Sequence, residues 1–338
     1  MTKFFDKIQT NLSKLTFKSV SKITLLNAKF NKKFLKKGRS IQNIKGYRFK
    51  KKTNIALIVS GGPSLRIVNH IKLIKEFEDK LIIICSDGSL FFLLENEIIP
   101  DLVVSLDPHP TRIIRWFGDK NLNKNKIKKD SYFRSQDIDT KFKRELLTNN
   151  KILTLTKKYG KNLNVALCTS APKNVVKRLI EIKSKIYWWN PFLDNPLNKK
   201  SLSKKLFELN KLPLINSGGN VGSACWMIAD SVINCKKIGM IGMDFSYYID
   251  TKIQKTQYYG ILKKTFGKQY LSLFYRKIYN PVYKKYFFTD HVYNWYKNIF
   301  LEMISNSKTI SINCTEGGIL FGKEIRNMRL KDFLKKYI

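Results

Sequence analysis

Acidic side chains are scarce in this chain: 25 Asp and Glu stand against 64 Lys and Arg, a formal charge of +39 over 338 residues. Histidine is scarcer, with only His70, His109 and His291, and none sits at ligand spacing to a cysteine, so a zinc site is not expected. The five cysteines are odd in number and scattered through apolar stretches, which argues for buried free thiols in a reducing cytoplasm rather than a disulfide framework. No apolar run reaches the roughly 18 residues that a membrane-spanning helix needs. The first twenty residues, MTKFFDKIQTNLSKLTFKSV, have no compact apolar stretch and no small-residue cleavage site, so no signal peptide is expected. Arginine is sparse too, at 11 of the 64 basic residues. A dedicated nucleic-acid reader would use more of its forked contacts, and nucleic acid is not an expected partner. What remains is a solvated lysine surface or an attraction for smaller anions: nucleotide phosphates, acidic sugars or an anionic membrane surface.

What is present is apolar and ordered. At 43% hydrophobic, the chain can bury a real core. Residues 1–52 read as a separate basic extension, with 16 Lys or Arg and one acid, Asp6. Phe4, Ile8, Leu12 and Leu15, then Ile23, Leu26, Phe30 and Phe34, recur at helical spacing. A basic amphipathic helix of this kind either packs on the domain or lies on an anionic membrane. The expected location is therefore cytoplasmic, with room for peripheral attachment to the inner face of the membrane.

From residue 53 on, strand and helix patterns alternate. NIALIVS, LIIICS, LVVSLDPHP, LNVALCTS and KIGMIGMD read as continuous apolar strands, separated by helical stretches. That alternation predicts an α/β domain over 53–338, Rossmann-like, with a mostly parallel sheet and helices on both faces. Ligands of such sheets bind at the carboxyl ends of the strands. Here those ends are polar or glycine each time: Gly61, Gly62, Pro63 and Ser64; Asp87; Asp107 and His109; Thr169 and Ser170; Asp244. Each aspartate either caps the next helix or faces a common crevice. The turn Asn216, Ser217, Gly218, Gly219, Asn220 opens a helix, and its amides suit a phosphate. It is neither a Walker loop nor a dinucleotide fingerprint. Residues 245–290 carry 14 aromatics, nine of them Tyr, and nine Lys or Arg. Such an insertion after a strand end reads as a lid over the crevice.

ALIVSGGPSL, DGSLFFLLENEIIPDLVVSLDP, NSGGNVGSACWMIADSVINCKKIGMIGMDFS and INCTEGG together resemble the MptE-like domain. That domain is shared by hydroxymethylpterin diphosphokinases and motility-associated flagellin glycosyltransferases. The order of motifs is also similar to that of the small bacterial sialyltransferases that use CMP-sialic acid. The resemblance implies that Gly61 to Ser64, Asp87 and Asp107 line a nucleotide and that Asn216 to Gly219 hold its ribose and phosphate; Asn220 adjoins them, and His109, between two prolines at a strand end, is expected to line the donor pocket. It implies that Tyr247 or Tyr248 steadies the departing phosphate and that His291 is the base. Asp244, Thr315, Glu316 and Gly317 complete the implied site. The sialyltransferases tend to carry Asn where this chain has Gly61, Asp87 and Asp107, and aspartates there look more like the MptE-like branch. The implied activity is transfer of an acidic sugar, a nonulosonate, from a CMP-linked donor to a hydroxyl of a glycan or protein, with no required cofactor or metal. Diphosphate transfer from ATP with Mg²⁺ to hydroxymethylpterin is the alternative, and a non-enzymatic polyanion-binding module is a third class.

Overall fold

A computed structural model describes residues 21–44, 49, 51–130 and 145–338. The half of the N-terminal helical expectation that rests on Phe4 to Leu15 lies outside them. The strands are β1 (Arg39–Ser40), β2 (Ile55–Val59), β3 (Ile82–Ser86), β4 (Leu102–Ser105), β5 (Asn164–Cys168), β6 (Lys185–Pro191), β7 (Leu214–Ile215), β8 (Lys237–Ile241), β9 (Tyr275–Asn280), β10 (Lys285–Asp290), β11 (Ile310–Asn313) and β12 (Arg326–Asn327).

All but β9 and β10 form one sheet in the order β1-β6-β5-β4-β3-β2-β8-β11-β12, with β7 beside β6. Every neighbouring pair in it is parallel. This is the expected Rossmann-like α/β architecture. The strand interiors alternate between two cores. Ala56, Ile58, Ile82, Ile84, Leu102, Val104 and Ala166 face one that holds Trp226 and Phe300. Leu57, Val59, Ile83, Cys85, Val103, Val165 and Leu167 face the other, which holds Phe117, Leu179 and Phe333. A strand buried on both faces has no polar positions to alternate, which is why these segments read as unbroken apolar runs. All five cysteines are free and buried. Among the described residues no helix is long and apolar enough to cross a membrane.

The chain lays β2 to β6 outward in one direction, then returns to place β8 on the other side of β2. The order therefore reverses between β2 and β8, and that reversal opens a crevice at the carboxyl ends.

Residues 21–44 do not stand apart as the sequence suggested. Residues 21–31 are helical. The Asn27 amide donates to the carbonyls of Pro108 (3.1 Å) and Ser170 (2.8 Å). Asn31, fully buried, donates to those of Thr169 (2.8 Å) and Ala171 (2.7 Å). Arg39–Ser40 then joins the sheet beside β6. The face turned inward carries Thr24, Ala28 and Asn31, whereas Leu26, from the expected apolar stripe, is exposed. Strand-end carbonyls need donors, and the two asparagines supply them where leucines could not.

The 245–290 insertion is a packed structure: the helix Tyr259–Phe266, a short 3-10 segment Lys268–Phe274, and the antiparallel hairpin β9–β10. Asn280 Nδ2 donates to the Gly318 carbonyl (2.8 Å), Thr289 Oγ1 to that of Phe245 (2.8 Å), and Tyr247 N to that of Phe288 (2.8 Å). The hairpin thus roofs the ends of β8 and β11.

Candidate functional site

Two halves of the crevice differ in what their side chains are doing. The half at β2, β8 and β11 is closed. Asp244, after β8, is buried, and it accepts from Ser64 N (3.2 Å) through one carboxylate oxygen and from Ser64 Oγ (2.7 Å) through the other. Gly62 N donates to the Gly242 carbonyl (2.9 Å). A Cβ on Gly62 would run into the Asp244 carboxylate, so this glycine is what lets the turn close on the strand end. Burial pushes the Asp244 carboxyl up to about 7, against the two hydrogen bonds from Ser64. Thr315 Oγ1 accepts from Met243 N (3.1 Å). Glu316 turns away to His70 Nε2 (2.9 Å) and the Leu330 amide (3.1 Å). Gly317 lies under Ser64, Asp244 and Phe287 of the hairpin. Of the residues implied for the site, Ser64, Asp244 and Gly317 are therefore brought together, as a clasp; Thr315 holds the end of β8, and Glu316 points elsewhere.

The half at β3 and β4 is open. Asp87 is buried; it accepts from Gly88 N (2.8 Å) and Ser105 Oγ (2.7 Å). Burial raises its carboxyl to about 7, with those bonds lowering it and the nearby Asp107 charge adding to the rise. Asp107 is part-exposed, accepts from His109 N (2.8 Å) and lies 3.6 Å from Arg112. His109 Nδ1 is 3.1 Å from Thr111 Oγ1. Burial first, then the Arg112 charge, hold this imidazole below its usual range, while Asp107 pulls the other way. Gly61 is exposed and faces Gly88 across the crevice.

The Ser-Gly-Gly-Asn turn is less open than its sequence implies. Asn216 Oδ1 accepts from Gly218 N (3.0 Å), Ser217 Oγ from Gly219 N (3.3 Å), and Asn220 Oδ1 from Ser223 N (3.0 Å). Those amides are satisfied inside the turn and are not waiting for a phosphate. The glycines have a packing reason. Gly218 and Gly219 have φ of +56° and +83°, and added Cβ atoms would meet Met303 Sδ at 2.7 Å and Tyr296 Cε1 at 2.5 Å. Both partners belong to the helix His291–Ser305. Asn216 and Gly219 remain exposed at the rim.

The polar atoms of Tyr247 and His291 are hydrogen-bonded within the protein. The Tyr247 hydroxyl donates to Asp290 Oδ2 at 2.5 Å, with both residues buried. Asp290 Oδ1 caps the following helix by accepting from Tyr293 N (2.8 Å). His291 Nε2 lies 3.2 Å from the Leu273 carbonyl, so this nitrogen carries the proton. Its Nδ1 then accepts from the Arg276 guanidinium at 3.2 Å. Burial and the Arg276 charge lower its pKa. Tyr248 lies two residues before Asp250, part-exposed at the start of the insertion. Sequence reasoning missed Tyr296, which touches the Gly219 turn and whose hydroxyl, buried first of all, is also raised by the Asp107 charge. Its only signal was one more aromatic in an apolar helix.

The family model described as "6-hydroxymethylpterin diphosphokinase MptE-like" matches residues 24–163. That span runs from the N-terminal helix through β4 to the start of β5, and includes the open half of the crevice. The MAf glycosyltransferase from Magnetospirillum magneticum AMB-1 is a solved structure with the same fold, at a TM-score of 0.51 and 12% identity. The alignment covers 82% of this chain and 34% of that one, so the chain spans about a third of that protein's length. No curated protein matches the chain. The resemblance to the MptE-like group thus has independent support.

Proposed function

We propose that the chain is a glycosyltransferase whose nucleotide-activated donor sits in the open half of the crevice. The observation that carries this reading is the grouping, beyond the carboxyl ends of β3 and β4, of part-exposed Asp107, Arg112 and His109, near enough to the buried Tyr296 for the Asp107 and Arg112 charges to act on it, with Gly219 against Tyr296 and Gly61 against Gly88. Asp107 accepts from a ribose hydroxyl or a base amine. Arg112 and the surrounding positive field favour the phosphate that gathers charge as it leaves. The acceptor hydroxyl loses its proton to a base, its oxygen bonds the anomeric carbon, and the breaking C–O bond leaves its electron pair on the nucleotide phosphate.

The base is a histidine, and geometry favours His109 over His291. A lowered pKa keeps the His109 imidazole neutral at cytoplasmic pH, at the crevice mouth beside Asp107. His291 meets a guanidinium on one ring nitrogen and a carbonyl on the other. The donor in this reading remains a CMP-linked acidic sugar, on the similarity of motif order to sialyltransferases, and the acceptor a hydroxyl of a glycan or protein.

The description of the matching family favours a second reading, diphosphate transfer from ATP to a pterin. Mg²⁺ would call on Asp87, Asp107 and Asp244. Asp87 and Asp244 are buried, and each of their carboxylate oxygens already accepts a hydrogen bond from Ser105, Gly88 or Ser64, which fits a metal poorly. Thermal denaturation with CMP, UDP and ATP–Mg²⁺ separates the readings, because a ligand of the native state raises the melting temperature by mass action. Stabilisation by CMP, lost in Asp107→Ala, is expected. Stabilisation by ATP–Mg²⁺ and not by CMP replaces the first reading with the second.

A further inference from the structure

The outer side of the β9–β10 hairpin plays no part in the crevice. Between Thr251 and Thr289 there are nine Lys or Arg and no Asp or Glu. At the free end of the hairpin, Tyr279 and Tyr286 are paired across the ladder, with ring centroids 5.1 Å apart. Both point to solvent, at 46% and 60% exposure, and Val282 in the connecting turn is 47% exposed. Lys277, on the same face, Lys284 in the turn and Lys285 on the far face are all exposed close to them.

This exposure is built into the fold. Asn280 ties the tip to the body from behind through the Gly318 carbonyl (2.8 Å), and its Oδ1 accepts from Val282 N (2.9 Å) to shape the turn. Both faces pack nearer the body: Phe287, on the far face, lies against the Gly317 loop, and Phe288, on the tyrosines' own face, packs on Tyr247 and Tyr275, so only the tip stands clear. An isolated exposed tyrosine needs no explanation. Two paired tyrosines and a valine, held out on a pinned hairpin and ringed by lysine, do.

We propose that this hairpin tip docks the protein on an anionic lipid bilayer. Tyrosine suits the headgroup boundary, since its ring is apolar and its hydroxyl stays wet. Valine reaches below that boundary, and lysine ammonium groups meet the lipid phosphates, each adding to the attraction. A nucleic-acid strand would not reward the valine, and this tip carries lysine rather than forked arginine. The surface attraction expected of the N-terminal region is thereby assigned to a different element. Because the hairpin roofs the β8 and β11 ends, docking there keeps the crevice beside the bilayer.

The test is co-sedimentation of the full chain with vesicles of phosphatidylcholine alone and of phosphatidylcholine with 30% phosphatidylglycerol. Binding to the anionic vesicles only, weakened by salt, is expected. The triple reversal Lys277→Glu, Lys284→Glu, Lys285→Glu is expected to lower the partition coefficient on the order of a hundredfold. Lys199→Glu, Lys200→Glu, Lys204→Glu makes the same change of charge on exposed residues elsewhere and is expected to cost far less. The pair Tyr279→Ser, Tyr286→Ser is expected to lower partition about tenfold, and Tyr286→Trp to raise it. Circular dichroism checks that each variant is folded. Equal losses from the two lysine triples overturn the proposal in favour of a diffuse charge effect. Indifference to all three tyrosine substitutions does so in favour of a soluble polyanion.

Discussion

Ser64 and Asp244 are 180 residues apart and share two hydrogen bonds, one from the Ser64 amide and one from its hydroxyl. That clasp joins the loops after β2 and β8 at the point where strand order reverses. It also explains why a chain so rich in lysine keeps an acid at the end of an apolar strand. The carboxylate is the acceptor that closes the turn.

The clasp should leave a trace in stability against pH. Asp244 has a folded pKa of about 7 against an ordinary value of 3.8, so its contribution is full below about 4 and is lost as pH rises through 7. Asp87, also raised to about 7, acts in the same sense. His109 and His291, both lowered, act in the opposite one, losing stability as pH falls below about 6.5. Denaturant melts at a series of pH values are expected to show that Asp244→Asn flattens the decline between pH 4 and 7. The slope removed is at most about 1.4 kcal/mol per pH unit. An unchanged slope in that variant would show that the carboxyl titrates normally.

Gly219→Ala is expected to destabilise the fold by roughly 1–3 kcal/mol, the cost of a left-handed backbone for alanine plus a methyl group driven into Tyr296. In a Tyr296→Ala background, itself less stable, the same glycine substitution should cost less if the clash is its source. Chemical denaturation of the single and double variants measures both. A loss in Gly219→Ala that the second substitution leaves untouched assigns the glycine to backbone strain alone.

Asn31 donates to two strand-end carbonyls, and Asn31→Ala is expected to cost about 2–3 kcal/mol, more than an exposed helix position would. Removal of residues 1–44 should lower the melting temperature further, because it takes away the Asn27 bonds and β1 as well. A truncated chain as stable as the whole would restore the view of this region as a detachable extension.

His109→Ala is expected to lower turnover by roughly 10²- to 10⁴-fold with donor affinity nearly unchanged. His291→Ala should instead cost a few-fold at most and mainly loosen the insertion, since its ring bridges Arg276 and Leu273. Steady-state kinetics on a CMP-sugar donor, with donor affinity measured by calorimetry, separates the two. The reverse outcome, a large kcat loss in His291→Ala alone, moves the base to the hairpin.

The sheet was legible because its strands are buried on both faces and each ends in a change of polarity that composition makes visible. Asp87, Asp107 and Asp244 were legible as strand ends for the same reason. The direction in which a strand-end side chain turns was not. Asp244, Glu316 and Tyr247 spend their polar atoms on Ser64, His70 and Asp290, partners 180, 246 and 43 residues away, which no local pattern reports. The N-terminal helix misled through its own regularity. Ile23, Leu26, Phe30 and Phe34 are correctly spaced for an apolar stripe, and Phe34 does pack on the core, yet the sheet needed donors, and the adjoining, asparagine-bearing face turned inward and left Leu26 exposed. Tyr296 was hidden because an aromatic at helical spacing looks like core, which it is, on its other side.

Both borders of the large sheet finish in strands of only two residues, Arg39–Ser40 and Arg326–Asn327. Such stubs matter for what the protein does not do. A long unpaired ladder recruits other chains by backbone pairing, and a parallel sheet this wide would offer one on each flank. Here the seven-residue β6 is covered where it is vulnerable by β1 on one stretch and β7 on another, and each stub leads with or carries polar side chains. A chain cut between β1 and β2 would fold around the same core yet carry a newly bared β6, and it is this species that should self-associate into amyloid-like material on storage.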